Sequence, residues 1–341
     1  MSVAPYEDRE PRSLGIAVVG CGHWGVNHVR TWSELGCLRL GCDPDEERRR
    51  VAATQCLQPT EFVSSLSEVL RRDDVQAVVV ATPAPSHVDV GIKVLQAGKH
   101  LLVEKPMATS VSEAERLASC AVEHGRVLMV GHVLEYHPAF LRLRELVDSG
   151  TLGRLRYLYS QRLNYGRFRT EENALWSFAP HDVAMLLRLL GSQPVQVSCD
   201  GAAFVTDQIS DVTLTALTFP NDVRAHVFVS WLHPFKEHRF VAVGSDQMAV
   251  FDDTAPWDEK LVLFPHTVDW VGGSLPVARR AAAIPVPFEP DDPLRRECLA
   301  FLSCVEKGVH PLTDARSGLD VLRVLEAAQR SLDNAGRPEA P

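Results

Sequence analysis

The chain has no long block of lysine or arginine, and its 35 basic residues are outnumbered by 44 acidic ones. The formal net charge of −9 argues against generic attraction to nucleic acid or an anionic membrane. Local basic residues remain able to hold phosphates. No Cys-x-x-Cys pair occurs among Cys21, Cys37, Cys42, Cys56, Cys120, Cys199, Cys298 and Cys304. Scattered cysteines in 341 residues fit reduced packing thiols rather than a disulfide framework. A cytoplasmic location is therefore expected. His23, His87, His100, Cys120 and Cys199 lack ligand spacing, and no metal is expected. Residues 1–11 are polar, with Glu7, Asp8, Arg9 and Glu10, and have no apolar signal core. No later run is long enough to span a bilayer. Internal repeats and low-complexity segments are absent, and residues 285–293 form the only proline-rich loop.

Length and a 45% apolar content are enough for two domains with substantial cores. Residues 14–20, 38–42, 75–81, 100–103 and 127–130 are short apolar runs that read as buried strands. Helical patterns alternate with them. One carries Val26, Val29, Trp32 and Leu35 and stops at Gly36. Others run around 46–54, from a Ser86 cap to Gly98, and from a Ser110/Glu113 capping box to Gly125. Alternation of this kind predicts an α/β Rossmann fold with a parallel sheet over residues 1–130. Beyond Gly131 the pattern changes. Residues 151–164, 195–205, 212–219, 223–232 and 240–244 read as longer, partly alternating strands, with one clear early helix at 180–190. Residues 131–341 are therefore expected to form an α+β domain with a largely antiparallel open sheet. The helices read at 293–307 and 313–334 are expected to pack back on the first domain.

Gly20-Cys21-Gly22-His23-Trp24-Gly25 is a complete G-x-G-x-x-G that follows a strand and opens a helix. In that context Gly20 permits the tight turn, Gly22 admits a pyrophosphate, and Gly25 lets helix and strand pack closely. The helix N-terminus offers N–H groups to the phosphates. Asp43, 43 − 20 = 23 residues after the first glycine, is placed to accept ribose hydroxyls. It favours NAD over NADP, while the neighbouring Arg48, Arg49 and Arg50 pull weakly the other way.

Glu104-Lys105-Pro106 directly follows a buried strand, where ligands of open α/β sheets bind. Lys105 is thus a candidate to stabilise a developing alkoxide, and Pro106 admits a cis bond. His181 is the second candidate. Pro180 reads as the first turn of a helix whose apolar stripe is Val183, Leu186, Leu187 and Leu190. His181 then projects away from that stripe, near a positive helix end that favours the neutral, proton-accepting imidazole. His132 and Tyr136, with His137, form one polar cluster. Asn164, Tyr165, Arg167, Arg169 and Trp176 form another, in which Arg and Tyr suit a diphosphate or sugar hydroxyls.

The motifs GCGHWG, Asp43, ATPAPSH (81–87), EKP (104–106) and APHD (179–182) resemble those of the glucose-fructose oxidoreductase / inositol dehydrogenase / MocA family (Gfo/Idh/MocA), in order along nearly the whole chain. That resemblance implies an NAD-dependent oxidoreductase acting on CH–OH, with Lys105 as the substrate-oxygen lysine and His181 at the proton-transfer position. It implies that Thr82, Pro83, His87 and Glu104 line the cofactor beside His23 and Trp24 of the glycine loop. The polar clusters named above would hold the substrate. Many members carry Asp four residues before the histidine; here Ser177 stands there. The run 164–191 is similar to nucleotide-sugar 3-dehydrogenase-like members acting on UDP-N-acetylglucosamine or UDP-N-acetylglucosaminuronate, the former being favoured. By that likeness the product is a 3-keto sugar, which a partner aminotransferase converts to a 3-amino sugar for cell-envelope glycans or lipid A. Family resemblance also implies a homodimer or homotetramer. A dehydrogenase of a free polyol or sugar, and a non-catalytic NAD-binding regulator, are the alternative readings.

Overall fold

The computed structural model describes residues 14–166 and 168–341 and divides into two compact units. Residues 14–133 and 292–322 make the first, and residues 134–291 and 323–341 the second.

Along the first unit run β1 (Ile16–Val19), α1 (Gly25–Glu34), β2 (Leu38–Cys42), α2 (Glu46–Ala53), β3 (Glu61–Val63), α3 (Leu66–Leu70), β4 (Ala77–Val80), α4 (His87–Gln96), β5 (His100–Glu104), α5 (Val111–Glu123) and β6 (Leu128–Gly131). The strands form one sheet in the order β3-β2-β1-β4-β5-β6, parallel throughout. Every residue of β1 and β4 is buried, as strands covered on both faces must be. The sequence reading lacks β3 and α3. Three residues on a sheet edge, none of them fully buried, give no usable periodicity.

Caps differ from expectation in two places. Ser86 caps nothing: its hydroxyl lies 2.7 Å from both Thr82 Oγ1 and the Pro83 carbonyl, and α4 grows from a tight turn at Ala84–Ser86. Ser110 does cap α5, accepting from the Glu113 N–H at 3.3 Å. The Glu113 carboxylate takes the Thr109 hydroxyl instead, so the reciprocal half of the box goes to a neighbour.

Within the second unit lie α6 (Pro138–Asp148), β7 (Leu155–Tyr165), α7 (Ala174–Leu190), β8 (Gln196–Ala202), β9 (Val212–Thr218), β10 (Arg224–Ser230), β11 (Leu232–Gly244), β12 (Met248–Asp252), β13 (Leu261–Phe264), β14 (Thr267–Val271), β15 (Leu275–Arg279) and β16 (Ile284–Pro285). Eight strands make a sheet in the order β16-β13-β12-β11-β7-β10-β9-β8, while β14 and β15 pair separately. In the large sheet β7 and β10 run parallel; its other pairs are antiparallel. The sequence reading omits α6 and β12–β16 and starts β11 too late.

The larger correction concerns α7. It begins at Ala174, where Asn173 Oδ1 accepts the Trp176 N–H at 3.2 Å, and ends at Gly191 with φ 61°. Pro180 therefore lies inside the helix, not at its first turn. A buried, strongly apolar face on both sides of the proline holds the helix together despite one missing N–H donor.

Two helices close the chain. Asp292 caps α8 (Pro293–Lys307) by accepting from the Leu294 and Arg295 N–H groups. This helix packs on α1 through an edge-to-face pair of Trp32 and Phe301, centroids 6.3 Å apart. The final helix, α9 (Ala315–Asp333), contributes residues to 322 to the first unit and the remainder to the second.

Candidate dinucleotide and catalytic site

The glycine loop between β1 and α1 shows three different needs for glycine. Gly20 sits at φ +94°, and a Cβ there would meet the Ala81–Thr82 backbone at 2.7 Å. At Gly25 a Cβ would lie 1.8 Å from the Gly20 carbonyl oxygen, so helix and loop touch only because the side chain is missing. A Cβ on Gly22 meets nothing within 4 Å. Gly22 thus borders open space at the start of α1. That helix start has neither a side-chain cap nor an acidic residue in its first turn. Backbone N–H groups facing open space at an uncapped helix start are the donor set a dinucleotide diphosphate requires.

Asp43 is buried at the end of β2. Its Oδ2 accepts the Cys21 N–H at 2.8 Å and its Oδ1 the Asp45 N–H at 2.9 Å. The carboxylate therefore ties β2 to the glycine loop. A carboxylate has about four acceptor positions, so capacity for ribose hydroxyls remains. The three arginines that could favour a 2′-phosphate are engaged locally. Arg49 donates to the Asp43 and Pro44 carbonyls, Arg50 pairs with Glu47 at 2.6 Å, and Arg48 lies 3.8 Å from Asp45.

His87, expected to line the cofactor, is buried. Its Nε2 lies 2.7 Å from the Thr82 carbonyl and its Nδ1 2.8 Å from the Pro106 carbonyl. Burial pushes the imidazole below its ordinary value against the upward pull of those two carbonyls. A neutral ring donates to one of them at a time. His87 thus clamps the turn after β4 to the turn after β5. In the former turn Thr82 is half-buried and Pro83 exposed, and in the glycine loop His23 and Trp24 are exposed.

The turn after β5 carries the lysine. Lys105 is half-buried, and the Lys105–Pro106 bond is cis. Glu104, also expected to line the cofactor, is buried, 8% exposed. Its Oε1 accepts from Trp24 Nε1 at 2.5 Å and His28 Nε2 at 2.7 Å, and its Oε2 from the Lys105 N–H at 3.1 Å. Burial alone would raise this carboxyl. The His28 hydrogen bond and charge, the Lys105 ammonium and the Trp24 indole outweigh burial and hold it below the ordinary carboxylate value. His132, just after β6, is buried as well.

In the second unit His181 is half-buried in the middle of α7. The helix-end effect expected from Pro180 does not apply there, because it fades within one turn. Ser177, one turn earlier, is buried. Asp182, the next residue, is committed elsewhere. It accepts from Ser160 Oγ at 2.5 Å and from Arg162 at 2.8 and 3.1 Å. Ser160 and Arg162 stand on the buried face of β7, so this ion pair fixes α7 against the sheet. Although burial disfavours the Arg162 cation, Asp182 raises it above its usual value. Arg162 also reaches His238 Nδ1 at 3.2 Å.

Trp176 Nε1 and Asn173 Nδ2 both donate to Gln329 Oε1, at 3.0 and 2.9 Å. Gln329 lies 153 residues beyond Trp176, and no local pattern identifies it. Tyr136 is buried, Asn164 half-buried, and Tyr165 64% exposed with its ring edge-on to Phe168. Arg167 lies outside the described residues. Sequence reasoning also missed His28 and the Arg162–Asp182 pair. His28 has a legible signal, a histidine four residues before the buried Trp32 on the inner face of α1.

Comparison with known proteins agrees with this architecture. Residues 14–132 match a family model described as an oxidoreductase family with an NAD-binding Rossmann fold, and residues 140–250 match the GFO/IDH/MocA C-terminal domain. The chain is 30% identical over 320 residues to a UDP-N-acetylglucosamine 3-dehydrogenase of Acidithiobacillus ferrooxidans, covering 91% of this chain and 94% of that one. The solved structure of that protein superposes with a TM-score of 0.81 over 94% of this chain and 98% of that one, at 27% identity. An inositol 2-dehydrogenase of Saccharopolyspora erythraea is 30% identical over 189 residues, 54% of this chain and 56% of that one. The fold is also that of GenD2 from gentamicin A biosynthesis, solved with NAD, at a TM-score of 0.84 and 23% identity over 100% and 99% of the two chains. No helix among the described residues is long and apolar enough to cross a membrane.

Proposed function

Because the chain belongs to the Gfo/Idh/MocA family of NAD-dependent oxidoreductases, we propose that it oxidises a secondary alcohol of a nucleotide sugar, the C3–OH of UDP-N-acetylglucosamine, to the 3-keto sugar. The observation that carries this reading is the 30% identity to a UDP-N-acetylglucosamine 3-dehydrogenase over nine-tenths of both chains. The EKP and APHD motifs, with Lys105 and His181, support it.

NAD⁺, when bound, supplies the hydride acceptor. Gly20, Gly22 and Gly25 provide the backbone cradle for its diphosphate, and Asp43 accepts its ribose hydroxyls. Lys105 donates to the reacting sugar oxygen and stabilises the negative charge that grows there as the C–H bond breaks. His181 accepts the hydroxyl proton. Position 177 is serine and Asp182 is held by Arg162, so neither residue supplies His181 with a carboxylate partner. His132, Tyr136, Asn164, Tyr165, Arg167 and Trp176 are the proposed substrate contacts. The product ketone is a substrate for a partner aminotransferase, and the protein works as a cytoplasmic homodimer or homotetramer.

The test is NAD⁺ reduction at 340 nm with UDP-N-acetylglucosamine, UDP-N-acetylglucosaminuronate and myo-inositol in parallel. Turnover confined to a UDP-sugar supports the reading, whereas turnover of myo-inositol alone replaces it with polyol oxidation. Lys105→Ala and His181→Ala are expected to bind NADH normally and to lose roughly 10²–10⁴ in kcat. Wild-type rates in both variants refute their roles.

A further inference from the structure

Inside the first unit, three donors meet at one carboxylate, two of them from residues far away in sequence. Glu104 Oε1 takes two donors, Trp24 Nε1 from the glycine loop and His28 Nε2 from the first turns of α1. Its Oε2 takes the backbone N–H of Lys105. Room for the carboxyl exists because residue 131 is glycine, where a Cβ would lie 3.0–3.1 Å from the carboxyl carbon and both oxygens. A second buried acid, Glu297 of α8, stands with His28 and Glu104 so that one polar atom of each lies within 4.8 Å of the others.

His28 is fully buried, and its Nδ1 has no hydrogen-bond partner among the described residues. Burying a polar atom without a partner costs stability, a cost that an apolar residue on this inner helix face would avoid. What His28 supplies in return is the bond from Nε2 to Glu104. Trp24 points the same way. It is 40% exposed, so its ring adds little to the core, yet its indole N–H goes to the same oxygen.

We infer that His28 and Trp24 are positioning residues, acting through Glu104 to hold the Lys105 turn and to keep a negative charge beside the Lys105 ammonium. The dinucleotide loop and the lysine are thereby built as one unit, and the geometry of the loop sets the state of the lysine. This inference rests on the reading of Lys105 as the substrate-oxygen lysine but not on the identity of the sugar.

The charged and titratable groups around Glu104 are His28 of α1, Lys105 beside it, His87 of α4, and Glu297 and Cys298 of α8. Removing a donor raises the Glu104 carboxyl, which then takes up a proton at higher pH. The carboxylate, no longer held by that donor, is free to move away from the neighbouring ammonium, and more of Lys105 becomes free amine.

The experiment is labelling of the full chain with trinitrobenzenesulfonate from pH 6 to 10, with Lys105 followed by peptide mass spectrometry. It compares wild type with Trp24→Phe, His28→Leu and His28→Gln. At pH 7, Trp24→Phe and His28→Leu are expected to label Lys105 about ten-fold faster, the equivalent of one pH unit. His28→Gln, which restores a donor without the histidine's charge, should bring the rate measurably back from that of His28→Leu toward wild type. Should His28→Leu fail to fold, Trp24→Phe carries the test, its ring being exposed. Unchanged Lys105 labelling in a folded Trp24→Phe or His28→Leu, or no rescue by His28→Gln, overturns the inference. No sugar is needed, so absence of sugar turnover would count against the proposed reaction and leave this result to be read separately.

Discussion

Two alanine substitutions within the glycine loop should separate folding from cofactor binding. At Gly22 an added Cβ meets nothing within 4 Å, and the backbone there does not have a positive φ. Gly22→Ala should therefore leave the apoprotein as stable as wild type, or raise it by about 0.4–1 kcal/mol through the unfolded chain. The methyl group would nonetheless occupy the space where a diphosphate must approach the backbone. At a ligand concentration of about 100 Kd, binding stabilises a protein by about 2.7 kcal/mol, which is roughly 5–10 °C for a unit of this size. A site weakened about a hundred-fold would retain only about 0.4 kcal/mol, or roughly 1 °C. Gly25→Ala should do the reverse. Its Cβ would lie 1.8 Å from the Gly20 carbonyl oxygen, a backbone atom that cannot swing aside. Overpacking of that kind costs about 1–3 kcal/mol and should lower the melting temperature of the apoprotein itself. Differential scanning fluorimetry with and without NADH reads both outcomes. A folded Gly22→Ala protein with the full wild-type NADH shift would refute the assignment of this loop as the diphosphate cradle.

Other expectations follow from the second unit. Asp182→Ala strands the buried Arg162 cation and should cost about 3–5 kcal/mol in urea unfolding, while Arg162→Met with Asp182→Leu should recover most of that loss. Equal instability of the double variant would show that the pair is not the cause. Asp253 is held well below the usual carboxylate range: burial pushes it up, but the His238 imidazole 3.7 Å away and the charges of His137, Lys260 and Arg162 prevail. A depressed folded value means that its stabilisation is complete above about pH 4, near the unfolded value, and is lost as pH falls toward the folded value. Asp253→Asn should then be less stable than wild type at pH 7 and show a shallower fall in stability below about pH 4; parallel curves would contradict this. Light scattering at micromolar concentration should report a dimer or tetramer, and a monodisperse monomer would count against the assembly proposed above.

Most of the nucleotide-binding unit was readable from the residues alone, β3 and α3 excepted. Strands with every residue buried read as unbroken apolar runs, and the three loop glycines are demanded by a turn, a close helix–loop approach and an open backbone. The strand–helix alternation, the loop, Asp43 and the lysine turn were accordingly legible, because each depends on neighbours within a few residues or on a local period. Short, half-exposed elements such as β3 and the β14–β15 hairpin carry too few buried positions to announce themselves. Proline misled at position 180, because its preference for a helix start is local, whereas the apolar burial that carries α7 through it is tertiary.

The destinations of the polar side chains came from the folded packing. Glu104 and His87, both expected from their motifs to line the cofactor, have buried side chains: a carboxylate or imidazole at a strand end takes the nearest buried donors and acceptors, and these come from other elements. Trp24 and His28 meet Glu104 across 80 and 76 residues, Asp182 meets Arg162 across 20, and Gln329 meets Trp176 across 153. Periodicity reports which face of an element is apolar. It carries no record of which distant group satisfies a buried charge, and that choice is made by the packing of the folded chain.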